Sequence, residues 1–388
     1  MRTGDTPKLR ELRERIAKVG LNILDLANER TKIALDIVEE KTSAGFPLRD
    51  DHREAQLLEQ LQKANAGPLD SATIKQLFRT LLDATVSIWQ RGGKNGLRVG
   101  ANSGPPVRVT VNGREIGPGS AIYIAGPCSI ESEEQLETIA RGLARCGVGF
   151  LRGGAFKPRT SPYAFQGLGE EGLRIMRDVA HRHGMGTVTE ATSETNLSLV
   201  VEYADIIQIG ARNMFNYDLL REAGQVGKPV LLKRSFSATL DEWLNAAEYL
   251  ALGGNEQIIL CERGIRTFAR ETRATLDLSI VPLAVAQSRL PVIVDVSHAA
   301  GRRDILTPLA RAAFAAGANG VMIEVHHDPD VALSDAKQQL NLQDFIHLQH
   351  DVVSGLREAA DSLTSDGTSG GGTTDAGVAG GKEAASCV

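Results

Sequence analysis

No stretch of about 18 uninterrupted apolar residues occurs in the sequence, so no membrane-spanning helix is expected. The first residues, MRTGDTPKLRELRERI, lack the apolar segment of a secretory signal. Cysteine is scarce: Cys128, Cys146, Cys261 and Cys387 stand far apart with no CxxC pair. That pattern reads as reduced thiols in a cytoplasmic protein. There is no excess of positive charge either, and a formal net charge of -5 argues against nucleic acid as the main partner. What is present is soluble globular composition, 42% apolar and 23% charged, over 388 residues. That length predicts roughly two or three domains.

Three textures divide the chain. Residues from about 8 to 91 are helical in pattern and poor in glycine, and residues 1–92 are expected to form one helical domain. A linker is expected over 93–106, within RGGKNGLRVGANSGPP. An α/β domain is expected over 107–363, opened by VRVTVNGREIG, whose alternating apolar residues around Asn112-Gly113 predict a hairpin. The Gly/Ser/Thr/Ala-rich 364–388 cannot bury enough apolar surface to fold and is expected to be disordered.

The α/β region carries eight strand candidates, at 121–127, 150–156, 186–191, 205–211, 229–235, 257–264, 291–298 and 320–326. Helical stretches such as EEQLETIARGLARCG lie between them, which implies parallel strands buried on both faces. Eight such units fit a (β/α)8 barrel better than the competing open doubly wound sheet.

A barrel of this kind places its site at the C-terminal strand ends. Arg152, Lys157, Arg159, Arg212, Lys233 and Arg263 fall at or just beyond the second, fourth, fifth and sixth strands. Any one of them reads as a surface residue or an ion pair. Cations at four equivalent strand ends are costly on a partly buried rim unless paired, and point to phosphates and carboxylates of a small ligand. Cys128 follows the first strand, Glu190 ends the third, His298 ends the seventh, Glu324 lies in the eighth, and Asp335 follows it. A lone Cys or His is more often an inert buried group. Barrel closure makes the seventh, eighth and first strands neighbours, however, so Cys128, His298 and Glu324 should converge. With Asp335 they make a donor set for one borderline divalent ion, Mn, Fe, Co, Zn or Cu.

The segments AGPCSIES, LRGGAFKPRTSPY, IIQIGARNM, PVLLKR, ILCERGIRTF, DVSH and GVMIEVHHDPDVALSDAKQQL resemble 3-deoxy-D-arabino-heptulosonate 7-phosphate (DAHP) synthases of the type I beta group, over about residues 105–355. The resemblance implies condensation of phosphoenolpyruvate with erythrose 4-phosphate, the first step of the shikimate pathway. It assigns Arg152, Lys157, Arg212, Lys233 and Arg263 to phosphoenolpyruvate. Arg159 and Thr160 go to the sugar phosphate, and Cys128, His298, Glu324 and Asp335 to the metal. Lys157 is expected to give or relay a proton, and Glu190 to orient or deprotonate water. A competitor on the same fold, 3-deoxy-manno-octulosonate 8-phosphate synthase, characteristically carries an Ala-Asn-Arg-Ser type loop where this chain has Lys157-Pro158-Arg159-Thr160.

In the helical region Leu9, Leu12, Ile16, Val19, Ile23 and Leu26 make an apolar stripe, and continuing it reaches Arg30 and Lys41. Cations on that seam read either as snorkelling at a bundle or dimer interface or as an anion pocket. LRERI, NERTKIALDIVEEK and PLRDDHRE resemble the AroQ-type all-helical chorismate mutases over about residues 9–90. The resemblance assigns Arg13, Arg30, Lys41, Arg53 and Glu54 to chorismate, with Asp50 and Thr85 in support. One position departs: the family's third helix presents a Gln where this chain has Trp89, with Gln90 one step further around the helix. The domain is therefore expected to be a mutase, a weak mutase that senses chorismate or prephenate for feedback, or a structural module. The family also suggests a dimer or tetramer.

Overall fold

The computed structural model describes residues 6–43, 51–92, 97–157, 163 and 165–365. The chain divides into two compact units, Met1–Gly96 and Leu97–Val388.

The first unit holds three helices: α1 (Pro7–Ser43), α2 (Asp51–Ala64) and α3 (Ser71–Gly92). α1 and α2 both pack on α3, burying Val38, Leu58 and Ile74. The N-terminal half of α1 is different, because its stripe stays exposed in the single chain: Leu12 at 47%, Ile16 at 72% and Leu26 at 65%.

The second unit opens with a hairpin of β1 (Val109–Val111) and β2 (Arg114–Ile116). Asn112 and Gly113 both take positive φ in the turn, as a tight hairpin of this twist needs. The strands β3 (Ile122–Gly126), β4 (Phe150–Arg152), β5 (Gly186–Ala191), β6 (Ile206–Ile209), β7 (Val230–Lys233), β8 (Ile258–Glu262), β9 (Val292–Asp295) and β10 (Gly320–Glu324) follow. They pair in parallel and close as a barrel through β10 with β3, which settles the choice against an open sheet. Around them run α4 (Glu133–Arg145), α5 (Glu170–Arg182), α6 (Glu194–Tyr203), α7 (Tyr217–Ala223), α8 (Leu240–Leu252), α9 (Ile280–Gln287), α10 (Val296–Ala300), α11 (Leu306–Ala315) and α12 (Leu342–Ser365). Their starts follow local chemistry. Ser132 caps α4 by accepting the Gln135 N–H, and Thr239 and Glu242 form a reciprocal capping box on α8.

Alternation along each strand splits its side chains between two cores. Residues such as Leu151, Leu232, Leu260 and Ile323 face the helices. Ile124, Phe150, Val188, Ile206, Leu231, Ile259, Ile293 and Met322, one from each strand, fill the barrel, where Val109, Val111 and Ile116 of the hairpin pack against them. The hairpin thus stoppers the barrel at the end opposite the strand C-termini, and polar groups are confined to the other mouth. Two sequence expectations need adjustment. The second strand stops at Arg152 and does not reach 156, because Gly153 and Gly154 turn away, Gly154 forming only an isolated bridge to Ser129. Residues from 97 onward, read as linker, pack on the barrel: Val99 is buried, and the Ala101 and Val107 N–H groups bond the Gln287 and Arg289 carbonyls.

Candidate active site

Stepping two residues along each strand from its barrel-filling apolar residue reaches the mouth. From Phe150 that gives Arg152, from Val188 Glu190, from Ile206 Gln208, from Leu231 Lys233, from Ile293 Asp295 and from Met322 Glu324. One cavity at this mouth is lined by Cys128, Arg152, Lys157, Glu190, Gln208, Arg212, Lys233, Phe236, Arg263, Arg273, His298 and Asp335. The sequence-predicted barrel residues that the structure describes therefore converge. Arg159 and Thr160 lie outside the described residues.

Cys128, Glu324 and Asp335 place their donor atoms within 4.8 Å of one another. Their elements meet because Glu324 pairs in register with Gly126, two residues before Cys128. Gly126 has φ 151°, and a Cβ there would meet the Arg152 carbonyl oxygen at 2.0 Å, so glycine is needed for this approach. His298 stands at the edge of the cluster, its Nε2 3.4 Å from Glu324 Oε1. Its other nitrogen, Nδ1, is 2.8 Å from Asp295 Oδ2 but is not aligned as a hydrogen bond. The thiol, imidazole and two carboxylates suit a borderline divalent ion, and an Asp behind a ligating His is the usual way to fix its ring.

The electrostatics of this half are set by burial and by close cations. Burial opposes ionisation of Asp335, but Arg273 at 3.1 Å overcomes it and brings the carboxyl down to about 2. Burial likewise opposes Glu324, and His298 and Arg152 outweigh it, holding the group below its ordinary range. Burial lowers His298, which favours the neutral imidazole that coordinates metal. The Cys128 thiol is raised by burial and by the Glu324 charge.

The cationic half is only partly neutralised. Arg152 donates to Glu324 Oε1 at 2.8 Å and to the Pro127 carbonyl at 2.7 Å, and Lys233 is paired with Asp295. Arg263 is 4% exposed, yet its recorded partners are the Gly264 and His298 carbonyls and the face of Phe236, 4.7 Å away. Among the described residues Lys157, Arg212 and Arg263 make no ion pair with a carboxylate. Buried or half-buried cations held this way can receive an anion. The neighbouring Arg234 is a useful contrast. It points away from the mouth and is neutralised by Glu262 at 3.1 Å and Asp277 at 2.9 Å.

Sequence reading missed Asp295, Arg273, Gln208 and Gln338. Asp295 and Gln208 had a signal, the two-residue step described above. Asp295 also caps α10 by accepting the His298 N–H at 3.0 Å, the Asp-x-x-His spacing of DVSH. Gln208 donates to Glu190 Oε2 at 3.1 Å. Arg273 and Gln338 sit on loops and have no such periodic signal.

In the helical unit Arg30 and Thr85 share an acceptor: Arg30 Nη1 lies 3.4 Å and Thr85 Oγ1 3.0 Å from the Leu81 carbonyl. Lys41 and Glu54 are half-buried, Arg13 is exposed, and the exposed Arg53 donates to Gln56 at 3.3 Å. Asp50 and the side chains of Trp89 and Gln90 lie outside those described.

Comparison with known proteins agrees with both units. Residues 106–361 match the DAHP synthetase I family, and residues 12–89 match chorismate mutase type II. A phospho-2-dehydro-3-deoxyheptonate aldolase of Thermotoga maritima is 55% identical over 249 residues, covering 64% of this chain and 72% of its own. A 2-dehydro-3-deoxyphosphooctonate aldolase of Acidithiobacillus ferrooxidans is 33% identical over 230 residues, covering 55% and 81%. The crystal structure of the Thermotoga maritima DAHP synthase matches with a TM-score of 0.65 and 51% identity, over 68% of this chain and 77% of that one. A closed parallel barrel, an anion-receptive mouth and these matches lead to one assignment: the chain belongs to the DAHP synthetase I family and carries a chorismate mutase type II domain at its N-terminus.

Proposed function

We propose that the barrel condenses phosphoenolpyruvate with D-erythrose 4-phosphate and water to give DAHP and phosphate. The helical domain, in this reading, isomerises chorismate to prephenate and senses one of them as a feedback signal. The observation that carries the barrel reading is the set of cations, Lys157, Arg212 and Arg263, that make no ion pair with a carboxylate among the described residues and stand beside the thiol–imidazole–carboxylate cluster.

Arg152, Arg212, Lys233 and Arg263 hold the phosphoenolpyruvate carboxylate and phosphate, and Arg159 with Thr160 holds the sugar phosphate. Cys128, His298, Glu324 and Asp335 would hold one divalent ion, of the Mn, Fe, Co, Zn or Cu type. Such an ion supplies Lewis-acid polarisation of the aldehyde when bound. C3 of the enol phosphate attacks the aldehyde carbon. A proton from Lys157 meets the developing alkoxide, and positive charge grows at C2. Glu190, oriented by Gln208, takes a proton from the water that adds to C2. The C2–O bond to phosphate then breaks, the new C2 hydroxyl passing its proton to the departing phosphate and becoming the C2 ketone. Stripping the protein with a chelator should lower DAHP formation at least tenfold, and readdition of the divalent ion should restore it. Full turnover after chelation would remove the ion from the mechanism.

For the helical domain, full-length protein should turn over chorismate while a fragment starting at residue 97 should not; that start keeps Val99 in the barrel core. Prephenate should inhibit DAHP formation by the full chain and leave the fragment unaffected, a coupling of about 1–3 kcal/mol. Turnover without inhibition would leave a mutase alone, and neither would leave a structural module. The exposed stripe of α1 is covered, in this reading, by a second copy of the chain, giving a dimer or tetramer. No described helix is long and apolar enough to cross a membrane, and cytoplasmic placement fits the small soluble substrates.

A further inference from the structure

The loop from His326 to the start of α12 carries Asp335 at a positive φ of 46°, a conformation that Asp tolerates better than most residues. Two adjacent glutamines tie this loop to the site. Gln339, fully buried, accepts the Cys128 N–H at 2.9 Å and donates to the Ser334 carbonyl at 2.7 Å. Gln338, 3% exposed, donates through one Nε2 to Glu324 Oε2 at 2.6 Å and to Asp335 Oδ2 at 3.3 Å. Its Oε1 accepts from Arg273 at 3.0 Å. A primary amide has two N–H donors. Gln338 spends both on carboxylates of two different elements.

We propose that Gln338 is a positioning residue of the metal centre, holding Glu324 and Asp335 together for coordination; this rests on the metal reading above. The residue type fits the task. A Lys or Arg here would add a further cation beside carboxylates that already meet Arg152 and Arg273, and a Glu would repel both. An amide orients them without adding charge of either sign. Partners behind metal ligands typically set about 10–100-fold of metal affinity.

The test is Co2+ titrated into the metal-stripped full chain, followed by the thiolate-to-cobalt charge-transfer band in the near ultraviolet. Gln338→Met, close in shape but without donors, should weaken Co2+ about 10–100-fold, with the parent band recovered at saturation. Ser334→Ala removes the Ser129–Ser334 hydroxyl contact between the same two loops. It should weaken Co2+ less than threefold if carboxylate orientation, and not loop docking, sets affinity. Urea midpoints of the metal-free proteins establish that each variant folds. Should Gln338→Met not fold, Gln338→Asn, whose amide is withdrawn by one methylene, must weaken Co2+ at least threefold. An unchanged titration for the folded Gln338 variant overturns the proposal, as does a loss for Ser334→Ala equal to that for Gln338→Met. A parent chain with no thiolate–cobalt band overturns the metal reading and this proposal with it.

Discussion

Asp295→Ala is expected to destabilise the barrel by about 3–5 kcal/mol at neutral pH, read as a drop in the urea unfolding midpoint. Asp295 is fully buried and is the carboxylate that pairs with Lys233 and lies beside His298. Burial alone would keep its proton on, yet His298 and Lys233 hold its pKa well below the ordinary range, so it is ionised in the folded protein. Removing it strands Lys233, 4% exposed, without a counter-charge, and also removes the α10 cap on the His298 N–H. Breaking one side of a buried pair is far more damaging than replacing both sides. Asp295→Asn keeps the capping acceptor and the shape but not the charge, and should fall between parent and Ala. A parent-like midpoint for Asp295→Ala would mean that the pair does not operate in solution.

Lys157→Met is expected to lower kcat for DAHP formation by about 10²–10⁴-fold, the range typical for loss of a positioned acid–base group. Lys157 lines the mouth beside Cys128 and Asp335, is half-buried, and makes no described ion pair with a carboxylate. It is therefore available to an anion and to a developing alkoxide alike. The two roles separate in the kinetics. Loss of anion clamping alone raises KM for phosphoenolpyruvate with kcat kept, whereas loss of proton delivery lowers kcat at saturation. Parent-like kcat with a raised KM would confine Lys157 to binding. Glu190→Gln should show the same kind of kcat loss, because the amide cannot accept a proton from water.

Much of this was legible residue by residue. The hairpin at Asn112-Gly113, the eight buried runs and the cations and ligands at their ends follow from local rules, because a strand's apolar alternation is a property of a few consecutive residues. Asp295 and Gln208 are within reach of the same rule, two residues beyond the barrel-filling Ile293 and Ile206. Arg273 and Gln338 were not within reach. They lie on irregular loops, where no period says which way a side chain points.

The sequence by itself determined the eight-unit barrel pattern, the chemistry gathered at its mouth and the two-part build of the chain. Only the tertiary structure decided the pairings. Arg152 meets Glu324 across 172 residues and Lys233 meets Asp295 across 62, while Arg263 is left with carbonyls and an aromatic face. Periodicity is set by neighbours along one strand, but partner choice is set by barrel closure and by loops that cross it. Which cation of the mouth also meets a buried carboxylate, and which meets none among the described residues, is therefore a property of the closed barrel.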